Sequence, residues 1–269
     1  MNIPNVLQRI LVAIIGIPLV YLCLRQGGIL LLAAVDIIIV LCLVEFIHLL
    51  RKKNFRPNWV LTVFPALGMS WDIFFSGGDN IPFILFVTMM LTFLVGLSHK
   101  DRSTLFMNTS LSLLGVLLIG FCISCILLIR QLPRGADLVV LLFLLIWVCD
   151  TAAYFVGKNL GRHKLWPQIS PKKTAEGTVA GLVGAWAAAC VAKLTFFPEL
   201  STVNCIALGT IAGIFGQGSD LVESAFKRGM DVKDSSQILP GHGGFLDRFD
   251  SFLLAAPSMY YYMKFLAGY

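Results

Sequence analysis

The chain has 269 residues, of which 57% are hydrophobic and 13% charged, with a net charge of +6 and a mean hydropathy of +0.83. That balance excludes disorder, which needs low hydrophobicity and high charge. It also excludes a soluble globule, whose apolar and charged shares run near roughly 45–50% and about 25%, and it leaves a protein dissolved in lipid.

A membrane-crossing helix needs roughly 20 mostly apolar residues. Candidate spans follow in chain order at 10–24, 28–50, 58–76, 81–98, 104–129, 136–157, 177–197, 202–222 and 249–267. The first is short and follows Arg9. No small-residue cleavage site comes after it, and Arg25 leads straight into the next apolar run, so it reads as a retained span and not as a removed signal. Pro65 and Asp72 weaken the third, which makes eight the nearest competing count. The predicted fold is all-α and polytopic, with about nine transmembrane helices. It divides into N-terminal transmembrane helices over 1–135, about five spans, and a C-terminal transmembrane region over 136–269. Two long connectors, 158–176 and 223–248, belong to the C-terminal region.

Basic residues set the orientation. One side holds Arg9, Arg51, Lys52, Lys53, Arg56, Lys100, Arg102, Lys158, Arg162, Lys164, Lys172, Lys173, Lys227, Arg228, Lys233 and Arg248, which is 16 of the 21. Arg25, Arg130, Arg134, Lys193 and Lys264 fall on the other. The N-terminus and both long connectors are expected in the cytoplasm and the C-terminus outside. These basic residues sit in connectors between apolar runs, not on one continuous face. They point to anionic lipid heads and phosphorylated small molecules, and no nucleic-acid partner is expected.

The seven cysteines all lie in or beside apolar runs and read as small membrane-buried side chains. Cys122-Ile-Ser-Cys125 has redox or zinc spacing, but no second Cys/His pair lies beside it. Gly177-x-x-x-Gly181 and Gly209-x-x-x-Gly213 carry small residues at helix-packing spacing. Contact within the chain is the plainer reading, and a homodimer face is the sharper one.

A charge inside lipid costs at least ~2.5–3.5 kcal/mol and marks a functional site by default. Asp72 and Lys193 lie near span ends and can snorkel. Glu45 is one turn from the basic 51–56 loop and is expected to pair there. Asp36 lies mid-span, open between a structural and a proton-linked role. Asp150 and Asp220 differ, because each shortly precedes one of the long connectors.

Asp220, Ser224, Lys227 and Arg228 stand at i, i+4, i+7 and i+8 and share one helical face. An acid, a hydroxyl and two bases suit a polar pocket where a helix leaves the membrane. Lys233-Asp234 follows, then Pro240-Gly241-His242-Gly243-Gly244, then Asp247-Arg248-Phe249-Asp250. The glycines let backbone approach a ligand and aim N–H groups at an anion. Asp247 and Asp250, one turn apart near Lys and Arg, suit magnesium shared with substrate phosphates. In the other connector, Ser170-Pro171 reads as a helix start, with Lys172 and Lys173 near its positive end.

The spaced motif from Ser224 to Asp250 resembles the signature of the phosphatidate cytidylyltransferases, also called CDP-diacylglycerol synthases. Asp150 to Gly157 and Ser170 to Gly177 are similar to that family too, apart from Ala175 where an aromatic residue is more usual. The likeness covers about 147–258. It implies that CTP and phosphatidate react with magnesium to give CDP-diacylglycerol and pyrophosphate, in a bacterial-type cytoplasmic membrane with the active site facing the cytoplasm. A second, monovalent cation is left open, as is a homodimer.

On this reading Asp220, Asp247 and Asp250 hold metal, with Asp234 behind them. Lys227, Arg228, Lys233 and Arg248 neutralise phosphates, and Lys172 and Lys173 approach the triphosphate. Ser224 orients phosphate oxygens together with Gly241, His242, Gly243 and Gly244. One competing reading is a CTP-dependent transferase acting on an ether lipid or polyprenol. Another is a transporter, which would spread polar residues through several spans, whereas here they gather at one layer.

Overall fold

A computed structural model describes residues 5–97, 104–236, 238 and 243–269. Among them are α1 (Asn5–Gln26), α2 (Gly28–Lys52), α3 (Val60–Ser76), α4 (Ile81–Leu97), α5 (Leu105–Gln131), α6 (Gly135–Leu160), α7 (Ala175–Leu194), α8 (Thr202–Gly229) and α9 (Phe252–Phe265). A single helical turn, Leu246–Phe249, precedes α9. The long helices α5 and α8 stay continuous through π-helical turns at Val116–Phe121 and Ala212–Gly216.

The helices α2, α5, α6, α7 and α8 are long and apolar enough to cross a bilayer, and α3 and α4 are shorter apolar helices. The protein is thus a polytopic membrane protein, as its hydropathy predicts. Helix α4 shows lipid acting as the solvent. It buries Thr88 and Thr92 and exposes Phe83, Phe86, Met89 and Met90. The Thr88 and Thr92 hydroxyls donate to the Ile84 and Thr88 carbonyls, at 2.6 and 2.8 Å, so neither polar group costs much inside.

Two compact units form. The first is Met1–Leu128 with Met230–Arg248, and the second is Ile129–Gly229 with Phe249–Tyr269. In the first, Ile39, Cys42 and Leu43 of α2, Met69 and Ile73 of α3, and Val116 and Ile119 of α5 are fully enclosed. In the second, Leu138, Leu141 and Leu145 of α6 are buried, as are Ala185, Ala189 and Ala192 of α7 and Phe252 and Ala255 of α9. Ring centroids of Phe143 and Phe252 stand 4.5 Å apart.

The paired glycines serve contacts within the second unit. A β-carbon on Gly177 would meet the Ala153 carbonyl of α6 at 2.7 Å, and one on Gly209 would meet the Trp186 ring of α7 at 2.5 Å. Small residues here let helix backbones close on each other.

Residues 158–176 differ from expectation. Ser170 and Pro171 do not start a helix. They lie on a strand, β2 (Ser170–Thr174), paired antiparallel with β1 (Lys164–Trp166). In a two-stranded hairpin every strand is an edge, where the missing proline amide is tolerated. Helix α7 begins at Ala175 instead, capped by the Thr174 hydroxyl, which accepts from the Gly177 amide at 3.2 Å. The Glu176 carboxylate closes the hairpin by accepting from the Arg162 and His163 amides. In the second connector, α8 stays helical to Gly229, so the irregular part begins only at residue 230.

Candidate active site

The last turns of α8 carry the densest charge in the second unit. Lys173, from β2, reaches the Asp220 carboxylate at 2.8 Å and the Gln217 carbonyl at 3.3 Å. Ser224, one turn on, donates to Asp220 at 3.3 Å. Lys227 pairs with Glu223 at 2.6 Å, with side chains only 10% and 2% exposed. The Arg228 guanidinium donates through Nε to the Ile169 carbonyl at 3.2 Å, tying the hairpin to the helix. Asp220 and Ser224 meet on the predicted face, and Lys227 pairs with Glu223, which at i+3 from Asp220 lies on the same face.

Asp250 lies in the turn ahead of α9, outside the spanning helices. Ser219 of α8 donates to its backbone carbonyl, and the Ser251 amide donates to its carboxylate at 2.6 Å. Burial, and then the negative charges of Asp220, Glu223 and Asp150, push this carboxyl well above the ordinary carboxylate range. Four acids thus share one neighbourhood with Lys173 and Lys227, and a cation there would relieve their repulsion. Among the described residues, no three acidic, His or Cys side chains converge tightly enough to hold a metal by themselves. Magnesium seldom asks for that. It takes one or two carboxylates and completes its shell with water and substrate phosphate, so the donor set fits it.

In the first unit, Asp247 is held differently. Its carboxylate accepts from the Ser235 amide at 3.1 Å and the Gly244 amide at 2.9 Å, and the Ser235 hydroxyl oxygen lies 3.0 Å away. Gly243 takes φ +79°, open to glycine at little cost. Lys233 and Asp234 are exposed and, with His48, Lys52, Ser235 and Ser236, line an open hollow of about 530 Å³. Arg248 and Lys172 are also exposed. Gly241 and His242 lie outside the described residues.

Glu45 does not pair with the basic 51–56 loop. It is 2% exposed and accepts four hydrogen bonds from the 235–246 segment. Lys53 of that loop pairs with Asp231 instead. Asp36 accepts from Ser70 at 2.5 Å and Trp71 at 2.9 Å, which gives it a structural setting. Asp72 accepts from the Asn80 amide at 2.9 Å, at a helix end as expected. Sequence reasoning missed Glu223, although its i,i+4 spacing to Lys227 was a visible signal. It saw Glu45 but gave it the wrong partner, since the true ones lie 190 or more residues away.

Comparison with known proteins agrees with the motif. The sequence pattern of the Cytidylyltransferase family matches residues 7–266. A phosphatidate cytidylyltransferase of Staphylococcus saprophyticus is 33% identical over 258 residues, 93% of this chain and 95% of the relative. One of Staphylococcus aureus (strain COL) is 34% identical over 256 residues, with the same shares. One of Bacillus subtilis is 46% identical over 149 residues, 55% of each chain. The resemblance read from the Ser224–Asp250 motif extends over residues 7–266, and the chain belongs to the cytidylyltransferase family.

Proposed function

We propose that this protein transfers a cytidylyl group from CTP to phosphatidate, giving CDP-diacylglycerol and pyrophosphate for phospholipid synthesis. The observation that carries this reading is the alignment of 93% of the chain with relatives bearing that name. The α8 cluster supplies the chemistry the reaction needs. A phosphate oxygen of phosphatidate attacks the α-phosphorus of CTP, the bond to the β-phosphate bridging oxygen breaks, and pyrophosphate leaves. The lipid phosphate is itself the nucleophile, so no covalent enzyme intermediate is required.

Both reactants are anions, and their repulsion is the main barrier to approach. Lys173 and Lys227 would exchange their carboxylate partners in part for phosphate oxygens, with Lys172 beside them for the triphosphate. Ser224 would orient an oxygen, and Arg228, steadied by the Ile169 carbonyl, would add charge. Lys233, Asp234, His242 and Arg248 join the catalytic set on the strength of the motif, with the glycines 241, 243 and 244. By the same motif Asp220, Asp247 and Asp250 would hold Mg2+, which when bound would withdraw charge from the phosphate oxygens. The catalytic region is thus residues 136–269. By the distribution of Lys and Arg, the site would face the cytoplasm, the side from which CTP arrives.

Purified protein in lipid nanodiscs, given labelled CTP, Mg2+ and phosphatidate, should release pyrophosphate and form a lipid-soluble cytidine product. Ether-lipid and polyprenyl phosphate acceptors run in parallel should give much less. Folded protein that yields no product with phosphatidate of any chain length would overturn the reading.

A further inference from the structure

Glu45 is a buried acid that the family chemistry leaves without a role. Glu45 sits within α2 among Cys42, Leu43, Phe46 and Leu49, all enclosed. A carboxylate in such surroundings is costly unless its lone pairs are filled. Both of its oxygens are filled, and every donor comes from one segment. Oε1 accepts from the Ser236 hydroxyl at 2.6 Å and the Phe245 amide at 2.9 Å. Oε2 accepts from the Ser235 hydroxyl at 2.7 Å and the Leu246 amide at 2.9 Å.

The same segment carries Asp247, and the two carboxylates share a residue. The Ser235 hydroxyl lies 2.7 Å from Glu45 and 3.0 Å from Asp247, and its amide donates to Asp247 at 3.1 Å. Gly244 passes over this junction. A β-carbon there would sit 2.0 Å from the Ser235 hydroxyl and 2.3 Å from the Glu45 carboxylate, so only glycine fits. Its amide then donates to Asp247.

We propose that Glu45 is a positioning residue for the reaction: it gathers Ser235, Ser236 and the Phe245 and Leu246 amides, and so holds the segment in the shape that presents the Asp247 carboxylate. Glu45 needs no contact with substrate for this. It acts through Ser235 and Gly244. The inference rests on the proposed function for the role of Asp247, but the template itself does not.

The test uses the full-length protein in nanodiscs, with Glu45→Gln and Ser235→Ala. Glutamine keeps the volume but leaves one backbone amide facing an NH2 group. Serine-to-alanine removes only the shared hydroxyl. Hydrogen exchange over 230–248, measured without CTP, phosphatidate or Mg2+, should quicken at least about tenfold in Glu45→Gln, while α6 and α7 keep wild-type protection. The kcat should fall at least about tenfold and KM for CTP move less than about threefold, as expected for misplacement rather than lost contact. The double variant should be no worse than the poorer single one, since both loosen the same segment. Wild-type exchange and kcat in Glu45→Gln, or additive losses in the double variant, would overturn the proposal. Wild-type protein inactive on phosphatidate would sink the functional reading and leave the exchange result standing.

Discussion

Two sets of acidic side chains answer the same problem in opposite ways. In the first unit, Glu45 and Asp36 are satisfied by neutral donors: serine hydroxyls, backbone amides and an indole. In the second, Asp220 and Glu223 are satisfied by lysines, at 2.8 and 2.6 Å. Backbone amides and short or rigid neutral side chains stay where the fold puts them, so they build shape. A lysine ammonium on a flexible stem can trade a carboxylate for a phosphate. The first arrangement suits scaffolding and the second suits a site that must accept anionic substrates.

Substitutions probe this contrast, from the largest effect to the smallest. Asp250→Asn removes a candidate metal-binding carboxyl from the four-acid neighbourhood and should lower kcat by at least about 10³-fold. The check is pyrophosphate release, with size-exclusion profiles showing that the variant remains folded. Near-wild-type turnover would remove Asp250 from the metal role. Lys173→Ala should cost about 10²-fold in kcat/KM. Lys172→Ala, at an exposed position, should cost less than about tenfold, read from CTP saturation curves. A reversed order would mean that the half-buried Lys173–Asp220 ion pair is only structural.

Outside the charged cluster the effects should fall on stability. Asp36→Asn keeps one carbonyl oxygen for Trp71 or Ser70. It should lower stability by about 0.5–2 kcal/mol, seen as a lower melting midpoint in detergent, with turnover retained. Thr174→Ala removes the cap of α7 and should cost about 1 kcal/mol, again by melting. A tenfold loss of activity in Thr174→Ala without a melting shift would tie the hairpin to chemistry rather than to folding.

The helices are legible in the sequence because lipid demands a continuous apolar run wherever the backbone crosses. The basic side and the Ser224–Asp250 motif are legible for a related reason: charge is so scarce that each exception stands out. The hairpin at 164–174 is not. Lys164-Leu165-Trp166 and Ser170–Thr174 are too short to show a period of two, and their pairing is secured by the hairpin's own register and by Glu176 reaching back to Arg162 and His163. Ser170-Pro171 therefore imitates a helix start that tertiary contacts override. Glu45 is visible as an acid in an apolar run, but partners 190 to 201 residues away leave no local trace. Gly244 reads as a phosphate-cradling glycine by composition, and only the closeness of Ser235 and Glu45 reveals the steric demand on it.

The most direct measurement compares three proteins in the same nanodiscs: wild type, Asp220→Asn and Asp36→Asn, each assayed for phosphatidate-dependent pyrophosphate release with Mg2+. Asp220 is held by a lysine and Asp36 by neutral donors. The account predicts that Asp220→Asn loses at least about 10³-fold of the activity while Asp36→Asn retains most of it. Equal losses in both, or full activity in Asp220→Asn, would contradict the division between acids that build shape and acids that serve the reaction.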